Sequence, residues 1–476
     1  MGCELNAAPA AATVDTQVDT QVAPQVAIIG GGYAGMAAAL ELVQRGIPVD
    51  VFEAASRLGG RARSVRLAEA EVDNGPHLLV GAYRETLRLL RLLGSEDDLS
   101  AQLLRLPLTL VYPGAAAIRA SPWPRSLPAG VATSLELASA LLLARGLTLA
   151  DKWAALRFMR SMGNCAFHLR TDCSVEQLLA AHRQPPRLCR YLWHPLCLAA
   201  LNTPPEAASA QVFANVLRDT LAGGRAASDM LLPRVDLGSL FPDRAARHVA
   251  ARGGRIRLRS AVRGMARDAQ GFVLAGREHV LGRYRQVIVA VAPWHVPALL
   301  AGITGLEDLR RQLTAMRWEP IVTSYLAYGP GLRLPLPMLG HTGGHMQWLF
   351  DRGQLGGPPG LLAAVISANG SHQRLSNAEL AAAVHAEIAA LLAGLQGARA
   401  APLRSPLWCR TIRERRATFA CTPGLNRPPG TTGIPGLLLA GDYVAGDYPA
   451  TLEAAVRSGV ASAGLVSGVE ATAGQP

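Results

Sequence analysis

Apolar positions along this chain fall into two patterns. The first is a set of short runs: Val26-Ala27-Ile28-Ile29, Pro48-Val49-Asp50-Val51-Phe52, Gln286-Val287-Ile288-Val289-Ala290-Val291-Ala292 and Leu437-Leu438-Leu439-Ala440. Runs this short, rich in branched residues and without alternation, predict strands buried on both faces, as in a parallel sheet. The second pattern has helical spacing. Met36 to Arg45 predicts a helix stopped by Gly46, and Thr451 to Val460 predicts another. Leu135 to Met162 and Asp172 to Leu201 read as helices with one apolar face. Ser376 to Leu395 reads as a helix capped by Ser376 or Asn377, with Glu379 as the capping-box partner of Ser376. Gly329 to Pro337 is a Gly/Pro-rich loop. Strands alternating with helices place the chain in the α/β class. The longest apolar window, Leu135 to Met162, is broken by Arg145, Asp151, Lys152, Arg157 and Arg160, so no membrane span is expected. Residues 1–24 carry acids and no cationic start, and residues 467–476 are small and polar; a disordered leader and a tail are expected there.

Between the first strand and helix lies Gly30-Gly31-Gly32-Tyr33-Ala34-Gly35, a G-x-G-x-x-G. Gly30 permits a tight turn, Gly32 lets the backbone approach a pyrophosphate, and Gly35 lets helix and strand pack closely. With Ala34 they form a cradle at a helix N-terminus, whose N–H groups attract phosphate. Glu53 lies at the tip of the second strand, where an acid accepts from ribose hydroxyls. Arg57-Leu58-Gly59-Gly60-Arg61 follows directly. Gly60 extends the cradle and Arg61 can reach a pyrophosphate through charge-assisted bonds. A simple NAD domain has no reason for this segment, so FAD is expected. At the far end, Gly441-Asp442 closes a strand, Asp442 can accept from a ribityl hydroxyl, and the helix beginning near Thr451 favours negative charge on the flavin.

Composition narrows the partners. The chain has 476 residues, half of them hydrophobic and 17% charged, which excludes a disordered chain and suggests two or three domains. The net charge is +12, yet Lys152 is the only lysine and the arginines are scattered. No basic–aromatic run of the nucleic-acid type occurs, and an anionic membrane surface is the better match. Cys3, Cys165, Cys173, Cys189, Cys197, Cys409 and Cys421 include no CxxC pair; buried free thiols of a reducing compartment are expected. His341 and His345 sit among Gly340, Gly343 and Gly344, where no helix would align them on a metal, so no metal is expected. A second GxGxxG is absent, which leaves no dedicated NADPH domain.

Residues 26–61 resemble the flavin amine oxidase and phytoene desaturase superfamily. The segment Val72-Asp73-Asn74-Gly75-Pro76-His77-Leu78-Leu79 and the later Arg413-Glu414-Arg415-Arg416-Ala417-Thr418-Phe419 resemble, more narrowly, the hydroxysqualene dehydroxylases, also called squalene-associated FAD-dependent desaturases. Gln347 to Arg352 and Tyr448 to Gly459 agree, so the likeness runs from about residue 25 to 465. Tyr443 to Asp447 departs from the Trp–Thr type sequence of the family.

The resemblance implies a Rossmann-like FAD-binding domain of discontinuous segments, 25–100, 235–295 and 405–466, with an inserted α+β substrate domain, 101–234 and 296–404. It implies FAD held without a covalent bond by Gly30, Gly32, Ala34, Gly35, Glu53, Gly60, Arg61, Gly441, Asp442, Thr451 and Glu453, with Val262 on a strand against the adenine. The implied reaction is reductive dehydroxylation of hydroxysqualene to squalene, in bacterial squalene and hopanoid synthesis. A carotenoid-type desaturase is the alternative. An amine oxidase is disfavoured because Lys152 lies outside the region where such enzymes place a lysine. The catalytic acid is unassigned; Asp73, His77, Asp447 and Tyr448 flank the flavin motifs. A hydrophobic isoprenoid substrate, contact with other squalene-pathway enzymes, and a cytoplasmic protein peripheral to the inner face of the membrane complete the expectation.

Overall fold

The computed structural model describes residues 25–67, 70–120, 139–223, 226–396 and 402–467. The expected leader, the tail beyond Ser467 and the first residues of the Leu135–Met162 segment lie outside the described residues.

Five parallel strands form a sheet in the order Arg255–Arg257, Val49–Phe52, Val26–Ile29, Gln286–Val289, Leu437–Leu439. Ile28 stands level with Val51 on one side and Ile288 on the other. Val26, Ala27 and Ile28 are wholly buried, which accounts for the unbroken apolar run. Asp50 is the polar exception. Its carboxylate is fully buried and accepts from Arg255 (2.6 and 3.0 Å), Arg257 (3.2 Å) and the Tyr284 hydroxyl (2.5 Å), so the buried charge is paired. Strand order reverses between Val26–Ile29 and Gln286–Val289, and a ligand binds at such a switch point. Helix Tyr33–Gln44 crosses helix Leu452–Gly464 with its backbone in contact: a Cβ on Gly459 would lie 2.1 Å from the Ala34 carbonyl oxygen.

A second, antiparallel sheet runs Met338–Gly340, Trp348–Asp351, Leu361–Ser367, Trp318–Ala327, Trp408–Phe419. The last strand pairs along Trp318–Ala327, so the early part of segment 405–466 joins this sheet rather than the parallel one. Helix Asn377–Gln396 covers it with Leu380, Val384, Ile388, Leu391 and Leu392. The capping box is present: Ser376 Oγ accepts from the Glu379 N–H (3.2 Å) and Glu379 accepts from the Ser376 N–H (2.8 Å). Within it, Asn377–Leu395, with a mean hydropathy of 1.5, is long and apolar enough by composition to cross a membrane, a feature overlooked because Glu379 and Glu387 interrupt the run. In this fold its apolar stripe faces the sheet.

Two predicted helices are broken. Residues 139–142 are helical, Gly146 turns the chain at φ +77°, and Leu149–Asn164 starts afresh on a Thr148–Asp151 capping box. In the Asp172–Leu201 segment, Val175–Ala181 ends before Arg183 at φ +50° and Pro185-Pro186. A π-turn at Cys189–Trp193 then leads into His194–Leu201. Of the described cysteines, Cys189, Cys197 and Cys421 are buried, whereas Cys165 is exposed, against expectation.

Candidate active site

The cradle begins where Val26–Ile29 ends. Gly30 adopts φ +113°, and a Cβ there would lie 2.5 Å from the Ala290 carbonyl oxygen. A Cβ on Gly35 would fall 1.9 Å from the Gly30 oxygen. Both glycines are therefore demanded by the protein's own packing. Gly32 differs: the nearest atom to a Cβ there is Gly60 Cα, 3.8 Å away. Gly32 and Gly60 thus lie backbone against backbone, and a Cβ on Gly32 would make only an ordinary contact, so the protein's own packing does not demand glycine there. Gly32 caps helix Tyr33–Gln44 with no side-chain hydrogen bond and no acid in its first turn. The leading N–H groups, Ala34 among them, lack a capping side chain and suit an anion.

Glu53 is held at the rim. One carboxylate oxygen accepts from the Gly31 N–H and the other from the Ala55 N–H, both at 2.8 Å. Each keeps a second lone pair for a hydroxyl donor. The Gly59 N–H donates to Gly31 O (2.9 Å), which fastens the Gly59-Gly60-Arg61 segment across the cradle. Arg61 then bridges the two ends of the site: it donates to Asp442 (2.5 Å) and to Ala417 O (2.7 Å). Sequence placed Arg61 and Asp442 on separate motifs; the fold makes them an ion pair. The Gly441 N–H donates to Ser458 Oγ (2.7 Å), and Thr451 Oγ1 accepts from the Ala454 N–H (3.1 Å) to cap helix Leu452–Gly464.

Two assignments change. Val262 is not on a strand: the sheet strand ends at Arg257, and Val262 lies in an irregular link before Gly264–Asp268. That link is tied to the rim, since Ser260 N–H donates to Glu53 O (2.8 Å) and Arg259 N–H to Ala55 O (2.9 Å). Glu453 is fully buried and its oxygens are committed elsewhere. It accepts from the N–H groups of Glu85 (3.0 Å) and Thr86 (2.9 Å), the Thr86 hydroxyl (2.8 Å) and Arg457 (2.7 Å). It caps helix Arg84–Leu92 rather than facing a cofactor.

The four candidate acids have different surroundings. Asp73 is buried and accepts from the Leu237 N–H (2.8 Å); burial pushes its carboxyl up to about 6. His77 Nδ1 lies 2.8 Å from Gly75 O, which fixes the proton on Nδ1, and burial together with Arg61 lowers its affinity for a second proton. His77 is thus a neutral acceptor at Nε2. Asp447 is exposed, 3.4 Å from Arg218. The Tyr448 hydroxyl accepts from Arg457 (3.3 Å) and hydrogen-bonds Asp219; burial and that carboxylate raise its pKa.

Sequence reading missed Trp294. It stands between the guanidinium groups of Arg61 (5.8 Å) and Arg416 (5.1 Å) and meets Trp318 edge-on at 4.9 Å. The signal was available as an aromatic directly after the strand-ending Pro293. His341 and His345 are on a loop: the first lies 3.8 Å from Glu387, and the second donates its backbone N–H to the same carboxylate (2.7 Å). Lys152 is remote from the cradle, its Nζ donating to Leu142 O (2.6 Å). Two surface cavities, of about 610 and about 460 Å³, include no cradle residue.

Residues 33–467 match the flavin containing amine oxidoreductase family. The chain belongs to that family. As a flavin amine oxidoreductase it uses FAD, and the residues of the cradle fit that group. It is 31% identical over 455 residues to a hydroxysqualene dehydroxylase of Rhodopseudomonas palustris, covering 93% of this chain and 98% of the relative. A hydroxysqualene dehydroxylase of Sinorhizobium fredii is 29% identical, covering 92% and 97%. Similarity to a zeta-carotene desaturase of Solanum lycopersicum, 40% identical, is confined to 75 residues, 16% of this chain and 13% of that one. In three dimensions the flavin amine oxidoreductase fold is shared with an oxidoreductase from Methanosarcina mazei, at a TM-score of 0.65 and 14% identity over 92% of this chain and 99% of that one.

Proposed function

We propose that this chain removes the hydroxyl group of hydroxysqualene to give squalene. The observation that carries this is the end-to-end likeness to hydroxysqualene dehydroxylases, beside a likeness to a carotene desaturase that is only local. The alcohol is allylic, so its C–O bond can break with the oxygen leaving as water once protonated. Bound reduced FAD supplies the hydride, and the balance is alcohol plus reduced FAD giving hydrocarbon, water and oxidised FAD. Gly32, Gly60, Glu53 and Arg61 hold the cofactor, and Asp442 and the Thr451-capped helix hold its flavin end. We infer a peripheral position on the cytoplasmic face of the membrane, because a substrate this insoluble is drawn from a bilayer.

The test is incubation of purified, FAD-loaded, chemically reduced protein with hydroxysqualene, followed by product identification. Squalene with stoichiometric flavin reoxidation is the expected result. Recovery of unchanged alcohol, or a new double bond introduced by the oxidised protein, would overturn the proposal.

A further inference from the structure

Ten large apolar side chains are exposed among the described residues, and four of them fall between 142 and 153. Leu142, Leu143, Leu149 and Trp153 are 56, 68, 72 and 69% exposed. Helix Leu149–Asn164 explains the arrangement. Ala154, Ala155, Phe158, Met159 and Met162 turn inward, while Leu149, Trp153, Arg157, Arg160 and Asn164 share the outer stripe at helical spacing. Arg145, Arg157 and Arg160 are exposed, and no described carboxylate pairs with them. The one acid of the segment, Asp151, is buried and spent on the Thr148 cap.

The corner that presents these side chains is rigid. Lys152 Nζ holds Leu142 O at 2.6 Å, and a Cβ on Gly146 would lie 2.0 Å from Ala115 O. An anionic bilayer takes both parts at once: leucines enter the acyl boundary, Trp sits at headgroup level, and arginines meet phosphate.

We propose that Leu142, Leu143, Leu149 and Trp153, ringed by Arg145, Arg157 and Arg160, dock this chain on an anionic lipid bilayer. This deepens the proposed function, which has substrate drawn from a membrane, by naming the face that touches it. The test is co-sedimentation of the FAD-loaded full chain, without substrate, with vesicles of phosphatidylcholine alone or with phosphatidylglycerol added. Binding should require phosphatidylglycerol and weaken with salt. Changing Arg145, Arg157 and Arg160 together to Gln should weaken it on the order of 100-fold, at about 5-fold per arginine. Leu149→Glu with Trp153→Glu should weaken it at least about 10-fold. All these side chains are exposed, so flavin absorbance and far-ultraviolet circular dichroism should match the parent. Equal binding to both vesicle types, or unaltered binding by both variants, overturns the proposal. Turnover in detergent micelles is read separately, so loss of docking and failure of the dehydroxylase reading are distinguishable.

Discussion

The three glycines of the cradle should respond to alanine in opposite ways. Gly30→Ala forces a side chain into φ +113° and against the Ala290 carbonyl, where a Cβ would sit at 2.5 Å. Gly35→Ala drives a methyl to 1.9 Å from Gly30 O, a contact that only backbone movement can relieve. Each should destabilise the apoprotein by at least about 1–3 kcal/mol, the usual cost of overpacking. Gly32 is at φ −77° and ψ −177°, which any residue adopts, and its Cβ would meet nothing nearer than 3.8 Å. Restricting the unfolded chain there contributes about 0.4–1 kcal/mol, offset by a comparable loss because alanine is a poorer N-cap than glycine. Apoprotein stability of Gly32→Ala should therefore match the parent. On the proposed reading a pyrophosphate lies against the Gly32 backbone, and the added methyl crowds it. Crowding of about 1–3 kcal/mol converts to roughly 5- to 150-fold weaker FAD. Urea unfolding of the apoproteins followed by circular dichroism, and FAD titration followed by flavin fluorescence, separate the two effects. If Gly32→Ala destabilises the apoprotein as much as Gly35→Ala, or binds FAD like the parent, the cradle is misassigned.

Glu53→Ala removes the hydroxyl acceptor at the rim; losing a charged hydrogen bond of roughly 1.5–3 kcal/mol should weaken FAD about 10- to 150-fold in the same titration. Glu453→Ala leaves the N–H groups of Glu85 and Thr86 without their acceptor, so the urea midpoint should fall by the equivalent of about 2–6 kcal/mol at roughly 1–3 kcal/mol per group. Asp73 holds its proton to about 6 in the fold against 3.8 for the ordinary group. Between those values the native chain binds the proton and the unfolded chain has released it, so stability falls as pH rises from about 4 to 6, by at most about 3 kcal/mol. Asp73→Asn, which keeps an acceptor for Leu237, should remove that fall; identical pH profiles of the urea midpoint would refute it.

Much of this fold was legible because its physics is local. A parallel strand buried on both faces is mostly apolar, and each of the runs at Val26, Val49, Gln286 and Leu437 became one, Asp50 being admitted by its paired charge. The glycines of the cradle were legible for the same reason, since a turn at φ +113° admits little else at Gly30. Breaks in the helices were less visible. Leu135–Met162 keeps its apolar spacing across Gly146, and only the Thr148–Asp151 capping box, read as a start signal, would have divided it. Asp172–Leu201 carried its own warning in Pro185-Pro186.

What a residue faces depends on partners far along the chain, and there the motif alone misleads. Glu453 follows the Thr451 cap in the second motif, so the family resemblance made it a cofactor ligand. Its carboxylate is instead claimed by residues 367 and 368 positions earlier, because the start of helix Arg84–Leu92 lies against helix Leu452–Gly464. Arg61 and Asp442 are 381 positions apart and belong to separate motifs, yet the strand reversal between Val26–Ile29 and Gln286–Val289 brings the motifs to one edge of the sheet. The pairing has a chemical consequence. Asp442 is nearly buried and Arg61 is its salt-bridge partner, and Arg61 in turn is steadied by Ala417 O and the Trp294 face. One side chain therefore ties the phosphate cradle, the second sheet and the flavin-end strand. The GGR segment, unnecessary to a simple dinucleotide fold, thereby has a structural role of its own in joining the two motifs.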